Sequence, residues 1–282
     1  MSDTIFVAPA DIASVPNGPG VYLFYGTQGD LLYVGKSVTL RARVRSHFAE
    51  RSERKMMRRV QRIEIRCTAG ELGALLLESQ LIKELKPLFN IAQRRRRRIV
   101  VARRVDNRDG YAAVKLHAVD HVAFNPDEPI LGLFKHFTQA KEFLDRIAHE
   151  HRLCPKLLGL EQARRYCFAY HLHRCDGACM GEENSVAYNK RLEHAFNDRR
   201  VQAWPYDGPI VVEERSDDGS LREVFTVDNW CLLASTVMAG GAALEHPSGS
   251  HRFDYDAYKI LYTCISDPPA TVLVREISRF KQ

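Results

Sequence analysis

Tyr22, in Gly20-Val21-Tyr22, and Tyr33, in Tyr33-Val34-Gly35-Lys36, stand 11 residues apart, and the stretch they open also carries Arg43, Glu78 and Asn90. Cutting a phosphodiester takes a positioned water, a cation to neutralise the pentavalent transition state, and help for the departing oxyanion. These residue types supply all three. Glu78 can hold one Mg2+ (or Mn2+), an ion that keeps most of its waters and needs few carboxylates. Arg43 can donate two hydrogen bonds to the scissile phosphate, and Lys36 adds a mobile positive charge. A tyrosine ionises at about pH 10, so either phenol accepts a proton near neutrality only where nearby cations favour its phenolate. Each tyrosine alone reads as an ordinary strand residue, and geometry must decide which would be the base.

The elements that position these groups are legible in the pattern. Residues 1–15 read as a short leader, ended by the turn cluster Pro16-Asn17-Gly18-Pro19-Gly20. Gly20 to Tyr25 alternates as a strand, Gly26 to Asp30 turns, and Leu31 to Val34 completes a hairpin. Ser37 is placed to cap a helix from Val38 to Glu50, in which Arg43 and His47 share a face. A strand over Arg62 to Cys67 precedes Thr68-Ala69-Gly70-Glu71, a capping-box pattern for a second helix that Pro87 ends. Glu71 is explained by that box and is assigned no chemistry. At about 100° per residue, Leu75, Leu77, Leu81, Ile82, Leu85 and Ala74 form one arc with Glu78 in its middle. An unpaired carboxylate there costs several kcal/mol, so Glu78 needs a cation, a strong donor or a raised pKa. A structural ion pair with an arginine is the plain alternative.

The chain has 282 residues and a net charge of +6. Residues 1–98 hold 18 Lys and Arg against 9 Asp and Glu, while residues 99–282 hold 23 against 26. The basic excess therefore surrounds the candidate site, where it would attract a polyanion. Arg41, Arg45 and the run Arg94, Arg95, Arg96, Arg97 and Arg98 are candidate DNA contacts, and a solvated linker is the alternative for the run. No membrane span or signal peptide is legible, which predicts a cytoplasmic protein with reduced cysteines. Four of the seven cysteines, Cys154, Cys167, Cys175 and Cys179, follow the spacing C-x12-C-x7-C-x3-C. Four thiolates suit zinc or a 4Fe-4S centre, and the missing C-x2-C pair mildly favours iron and sulfur. His171 or His173 could replace a thiolate at zinc, and Arg164, Arg165, Tyr166 and Arg174 could meet DNA. The pattern predicts an α/β (α+β) chain in parts: 1–15 leader, 16–98 nuclease domain, 99–198 cysteine-bearing α/β region, 199–282 small α/β region.

With GVY and YVG in the signature positions, residues 16 to 90 resemble the GIY-YIG nuclease module: a small antiparallel or mixed sheet flanked by helices. The resemblance places Tyr22, Tyr33, Lys36, Arg43, Glu78 and Asn90 at catalytic positions and Gly35 and His47 at supporting ones. His47 departs from the tyrosine common in the excision-repair members. From Cys67 through Asn90, and on through Leu158-Gly159-Leu160, Arg174 to Cys179 and Tyr258 to Leu261, the chain is similar to the UvrC family, and to its shorter members above all. That resemblance implies a monomeric endonuclease that incises on the 3′ side of a lesion in double-stranded DNA marked by UvrA and UvrB. It also implies a 4Fe-4S cluster on the four cysteines, and a 5′ incision made by another protein. The alternatives are a self-sufficient homing or restriction endonuclease, for which no helix-turn-helix or recognition finger is legible, and a non-catalytic DNA-binding scaffold.

Overall fold

Alternating apolar residues on either side of a five-residue turn fold back on themselves, and the hairpin is the frame on which everything near the tyrosines hangs. The computed structural model describes residues 4–90, 99–119, 129–199, 202, 204–239, 242–245 and 253–277. Strands β1 (Thr4–Val7), β2 (Gly20–Tyr25), β3 (Leu31–Ser37) and β4 (Arg62–Cys67) make an antiparallel sheet in the order β1-β4-β2-β3. Within the stretch expected as a leader, Thr4–Val7 and Pro9–Ser14 thus carry elements of their own. Thr4–Val7 pairs with the outer side of β4, and a 3-10 helix at Pro9–Ser14 leads into the turn cluster.

Helices α1 (Leu40–Ala49), α2 (Arg54–Met57) and α3 (Glu71–Leu85) cover this sheet. The period of 2 divides its side chains. Tyr22, Phe24, Ile63 and Ile65 form one buried cluster with Leu40 and Val44 of α1 and Met56 and Met57 of α2. Val21, Leu23 and Val34 form another with Leu77, Leu81 and Ile82 of α3. Helix α1 begins later than expected, and Ser37 Oγ accepts from Thr39 N just ahead of it instead of capping the helix. Helix α3 ends where Lys86 turns left-handed (φ 49°) before Pro87. Its buried set differs from the expected arc: Leu85 is exposed, while Leu72, Gly73 and Leu76 are buried. A second side of α3 is covered by the C-terminal region described below.

Strands β5 (Ile99–Asp106), β6 (Ala112–Val119) and β7 (Ile130–Phe134) form an antiparallel sheet in the order β6-β5-β7. Helices α4 (Phe137–Glu150), α5 (Phe168–His171) and α6 (Ser185–Ala195) follow. Phe143, Leu144 and Ile147 of α4 and Tyr188 and Leu192 of α6 pack with Val100 and Phe134, and three cysteines lie in the same core.

Strands β8 (Ile210–Arg215), β9 (Leu221–Asp228), β10 (Cys231–Ala239) and β11 (Ala242–Glu245) are followed by α7 (Tyr255–Ser266) and β12 (Val272–Glu276). The sheet order is β11-β10-β9-β8-β12, with every neighbour antiparallel. Residues 1–96 and 204–282 form one compact unit and residues 97–203 another. The chain is a mixed α/β protein of antiparallel sheets, and the C-terminal region shares a unit with the tyrosine hairpin. Among the described residues no helix is long and apolar enough to cross a membrane. The five arginines expected to hold DNA, Arg94–Arg98, lie outside the described residues.

Candidate active site

Register places the aromatic groups. Tyr22 pairs with Gly35 and Phe24 with Tyr33, so the two tyrosines stand on one face of the hairpin with ring centroids 6.2 Å apart. A side chain at position 35 would collide with the Tyr22 hydroxyl, which is why the glycine of the second signature is needed. Helix α1 lays Leu40, Val44 and His47 onto this face, and Arg43, one step round the helix, remains exposed beside both phenols.

His47 is 1% exposed; its Nε2 is 2.5 Å from the Tyr22 hydroxyl and its Nδ1 2.5 Å from Glu53 Oε2. Burial holds its pKa below the ordinary value, against the Glu53 carboxylate, which raises it. A neutral ring satisfies both contacts in one way: Nδ1–H donates to Glu53, and Nε2 accepts from the Tyr22 O–H. Glu53 was not legible as part of the site, since six residues from His47 along an irregular stretch fits no helical spacing. Burial raises the pKa of Tyr22, and Tyr33 adds to the rise, while Arg43 opposes it. Tyr33 is half-buried; burial and then Glu78 raise its pKa, and Arg43 again opposes.

Glu78 comes from the opposite side of the sheet, round the edge that β3 presents. An edge strand has backbone groups to satisfy, and two candidate residues satisfy them. Lys36 N donates to Glu78 Oε1 at 3.1 Å. The Asn90 amide takes both groups of Val34, accepting from its N at 2.9 Å and donating to its O at 2.8 Å. Asn90, expected among the catalytic residues, is buried and holds β3 in place. Burial raises the Glu78 pKa, while the Lys36 amide and the charges of Lys36 and Arg43 lower it.

Lys36, expected to supply a mobile charge, has its Nζ 2.6 Å from Glu71 Oε1 in a partly exposed ion pair. Glu71 therefore does not close a capping box, and the Thr68 hydroxyl donates to Gly70 O instead of capping α3. Arg45 is exposed on α1, whereas Arg41 Nε donates to Val15 O at 2.7 Å and so helps tie the turn cluster to the helix.

The sulfur atoms of Cys154, Cys167 and Cys175 all lie within 4.8 Å of one another, and all three residues are buried. Cys179, half-exposed, is outside that group of three, and its Sγ accepts from Cys167 N at 3.4 Å. A hydrogen bond from Cys154 holds Cys175 below the ordinary thiol range, and that same bond with burial pushes Cys154 well above it. Thiolates this close repel one another, so their joint ionisation calls for a positive centre, and four sulfur donors suit a thiophilic one. His171 and His173 are exposed and take no part in the group. Cys67, Cys231 and Cys264 lie on β4, β10 and α7.

Comparison with known proteins agrees along the chain. Residues 18–91 match the family model for the UvrC-like GIY-YIG domain, residues 92–198 the UvrC/Cho excinuclease middle domain, and residues 209–278 the excinuclease Cho C-terminal domain. The chain is 38% identical over 255 residues to excinuclease cho of Salmonella typhimurium, covering 89% of this chain and 84% of that protein. It is 38% identical over 252 residues to excinuclease cho of Escherichia coli K12, covering 88% and 82%. UvrABC system protein C of Prosthecochloris aestuarii is 30% identical over 206 residues, 64% of this chain and 30% of that protein. A solved magnesium-bound structure of the GIY-YIG N-terminal endonuclease domain of Thermotoga maritima UvrC shares 30% identity. It covers 29% of this chain and 92% of that one, with a TM-score of 0.27. Family matches and the paired-tyrosine hairpin together define an endonuclease of the GIY-YIG class. Within that class the chain belongs to the excinuclease Cho family.

Proposed function

We propose that this DNA endonuclease incises on the 3′ side of a lesion marked by UvrA and UvrB, by one-metal hydrolysis. The observation that carries the chemistry is Glu78: a carboxylate withdrawn from water and fixed to the Lys36 amide beside Arg43 and two phenols. Such a group fits a hard divalent cation, because the desolvation that raises its pKa is relieved by positive charge. Mg2+ (or Mn2+) bound there would act as a Lewis acid, neutralising charge on the phosphate and the departing oxygen.

The chain's own groups divide the remaining work. Arg43, exposed at the rim, donates to the scissile phosphate. Tyr33 is the phenol a water can reach, since Tyr22 is 1% exposed and already donates to His47. Tyr33 therefore takes the water's proton; burial and Glu78 raise its pKa, so the phenolate it must begin from depends on the positive charge of Arg43 and of the divalent ion. Tyr22, His47 and Glu53 form a hydrogen-bonded post that keeps Arg43 and Tyr33 in register. The anchored Lys36 places its amide under Glu78.

Cys154, Cys167, Cys175 and Cys179 hold a 4Fe-4S cluster in this reading, with zinc as the alternative. A broad visible absorbance from anaerobically purified protein supports the cluster, and colourless protein carrying stoichiometric zinc overturns it. The function is tested by incision of a lesion-bearing duplex with UvrA, UvrB and Mg2+. The reading predicts one cut 3′ to the lesion that needs both partners, and equal cutting of undamaged DNA without them would contradict it.

A further inference from the structure

The amides that begin α3 are capped, though not by their own segment. Leu72 N donates to Glu214 Oε1 at 2.9 Å and Gly73 N to Glu214 Oε2 at 2.8 Å. Ala69 N donates to Glu223 Oε2 at 3.4 Å. Glu214 and Glu223 face each other across the β8–β9 ladder, and both are buried at 2% exposure. Opposed like charges destabilise a sheet, and buried ones more so, so this pair must be offset by what it meets. It meets the positive end of a 15-residue helix, two of the helix's own donors and the Ala69 amide just ahead of it. The helix makes room: a Cβ at Gly70 would collide with the Glu214 carboxylate, and one at Gly73 with that of Glu223. Toward the other end of α3, Lys83 Nζ is 2.6 Å from Oδ1 of Asp254, the N-cap of α7, and 3.0 Å from Oδ2 of Asp256 in its first turn. Glu78 lies between the two grips.

We propose that residues 204–282 act as a clamp on the catalytic helix, in which Glu214 and Glu223 are positioning residues that set α3 along its axis and thereby place the Glu78 carboxylate. This deepens the function proposed above and rests on Glu78 holding the divalent ion.

The test compares full-length wild type with Glu214→Ala, Glu214→Gln and Glu78→Gln, reading hydrogen exchange of the peptide around 69–77 and the Mg2+ dependence of incision. In Glu214→Ala the 69–77 amides should exchange faster while those of β2 and β3 do not. The Mg2+ needed for half-maximal rate should rise roughly 10- to 100-fold, as for loss of groups that orient a metal ligand. Glu214→Gln, which keeps one acceptor oxygen, should recover part of both. Unchanged exchange in Glu214→Ala overturns the clamp, and so does faster exchange with wild-type Mg2+ dependence while Glu78→Gln is inactive. Wild-type Mg2+ dependence in Glu78→Gln overturns the metal reading instead, and exchange then still decides the clamp. Should Glu214→Ala not fold, Gly73→Ala reads the clamp at its other acid, by driving a methyl into the Glu223 carboxylate. Its Mg2+ requirement should rise, and removing the carboxylate in Gly73→Ala/Glu223→Ala should abolish the added penalty. Purely additive losses overturn the clamp.

Discussion

The two tyrosines share a hairpin and differ in what surrounds them, and this separates their roles. Tyr22 is sealed and bonded to His47, whereas Tyr33 is half-buried beside Arg43. In Tyr33→Phe the single-turnover rate should fall by roughly 10²- to 10⁴-fold, the usual worth of a general base, with DNA affinity retained. Tyr22→Phe removes only the donor to His47, and its rate should fall less. The reverse order in the two variants would move the base to Tyr22. Gly35→Ala drives a methyl into the Tyr22 hydroxyl; overpacking of this kind costs about 1–3 kcal/mol, measurable by urea denaturation, and an unchanged midpoint would refute the contact. Glu78 was legible from sequence because it carries a chemical contradiction, an acid in an apolar arc, and Tyr22, Tyr33 and Gly35 because they fall in the order of a known signature. Glu53 has neither, being one more surface acid until His47 turns toward it.

At the level of elements, local rules succeeded where local contacts decide. The hairpin is set by a period of 2 and a short turn, and β2 and β3 form as expected. They failed at α3, where Thr68 and Glu71 match the capping-box pattern but Lys36 takes the acid and Glu214 supplies the cap from strand β8. No window of sequence could show that competition. Strand β1 escaped notice for the same reason, since its partner β4 lies some 60 residues on. The buried acid pair has a consequence for pH. Burial, with the Glu214 charge adding to it, pushes Glu223 up to about 7 from an ordinary 4.5. A carboxyl with a raised folded-state pKa stabilises fully below the unfolded value and loses that contribution as pH rises through the folded one. Between pH 5 and 8 the unfolding free energy of wild type should therefore fall relative to Glu223→Gln, by about 3 kcal/mol at most at 1.36 kcal/mol per pKa unit. Parallel pH profiles of the two proteins in urea denaturation would contradict this.

Across the whole molecule, the chain is organised less simply than its order suggests. The sequence divides it into successive parts, whereas residues 204–282 fold with residues 1–96 and residues 97–203 form their own unit around the cysteines. Patterns of a few residues cannot reveal that the third part returns to the first, because the contacts that join them, Glu214 to Leu72 and Lys83 to Asp254, link distant positions. Cys175→Ser should therefore raise hydrogen exchange within 99–199 and lower bound metal, with exchange in β2 and β3 unaltered. Spread of the change to the hairpin would show that the cysteine core supports both units.

The central claim, that Glu78 grips a divalent ion at the rim of the tyrosine hairpin, is tested most directly by anomalous diffraction from crystals of the protein soaked in Mn2+. The account predicts a peak at bonding distance from the Glu78 carboxylate, on the side of Arg43 and Tyr33, that vanishes in Glu78→Gln. A peak bound elsewhere, or one that survives the substitution, would contradict it.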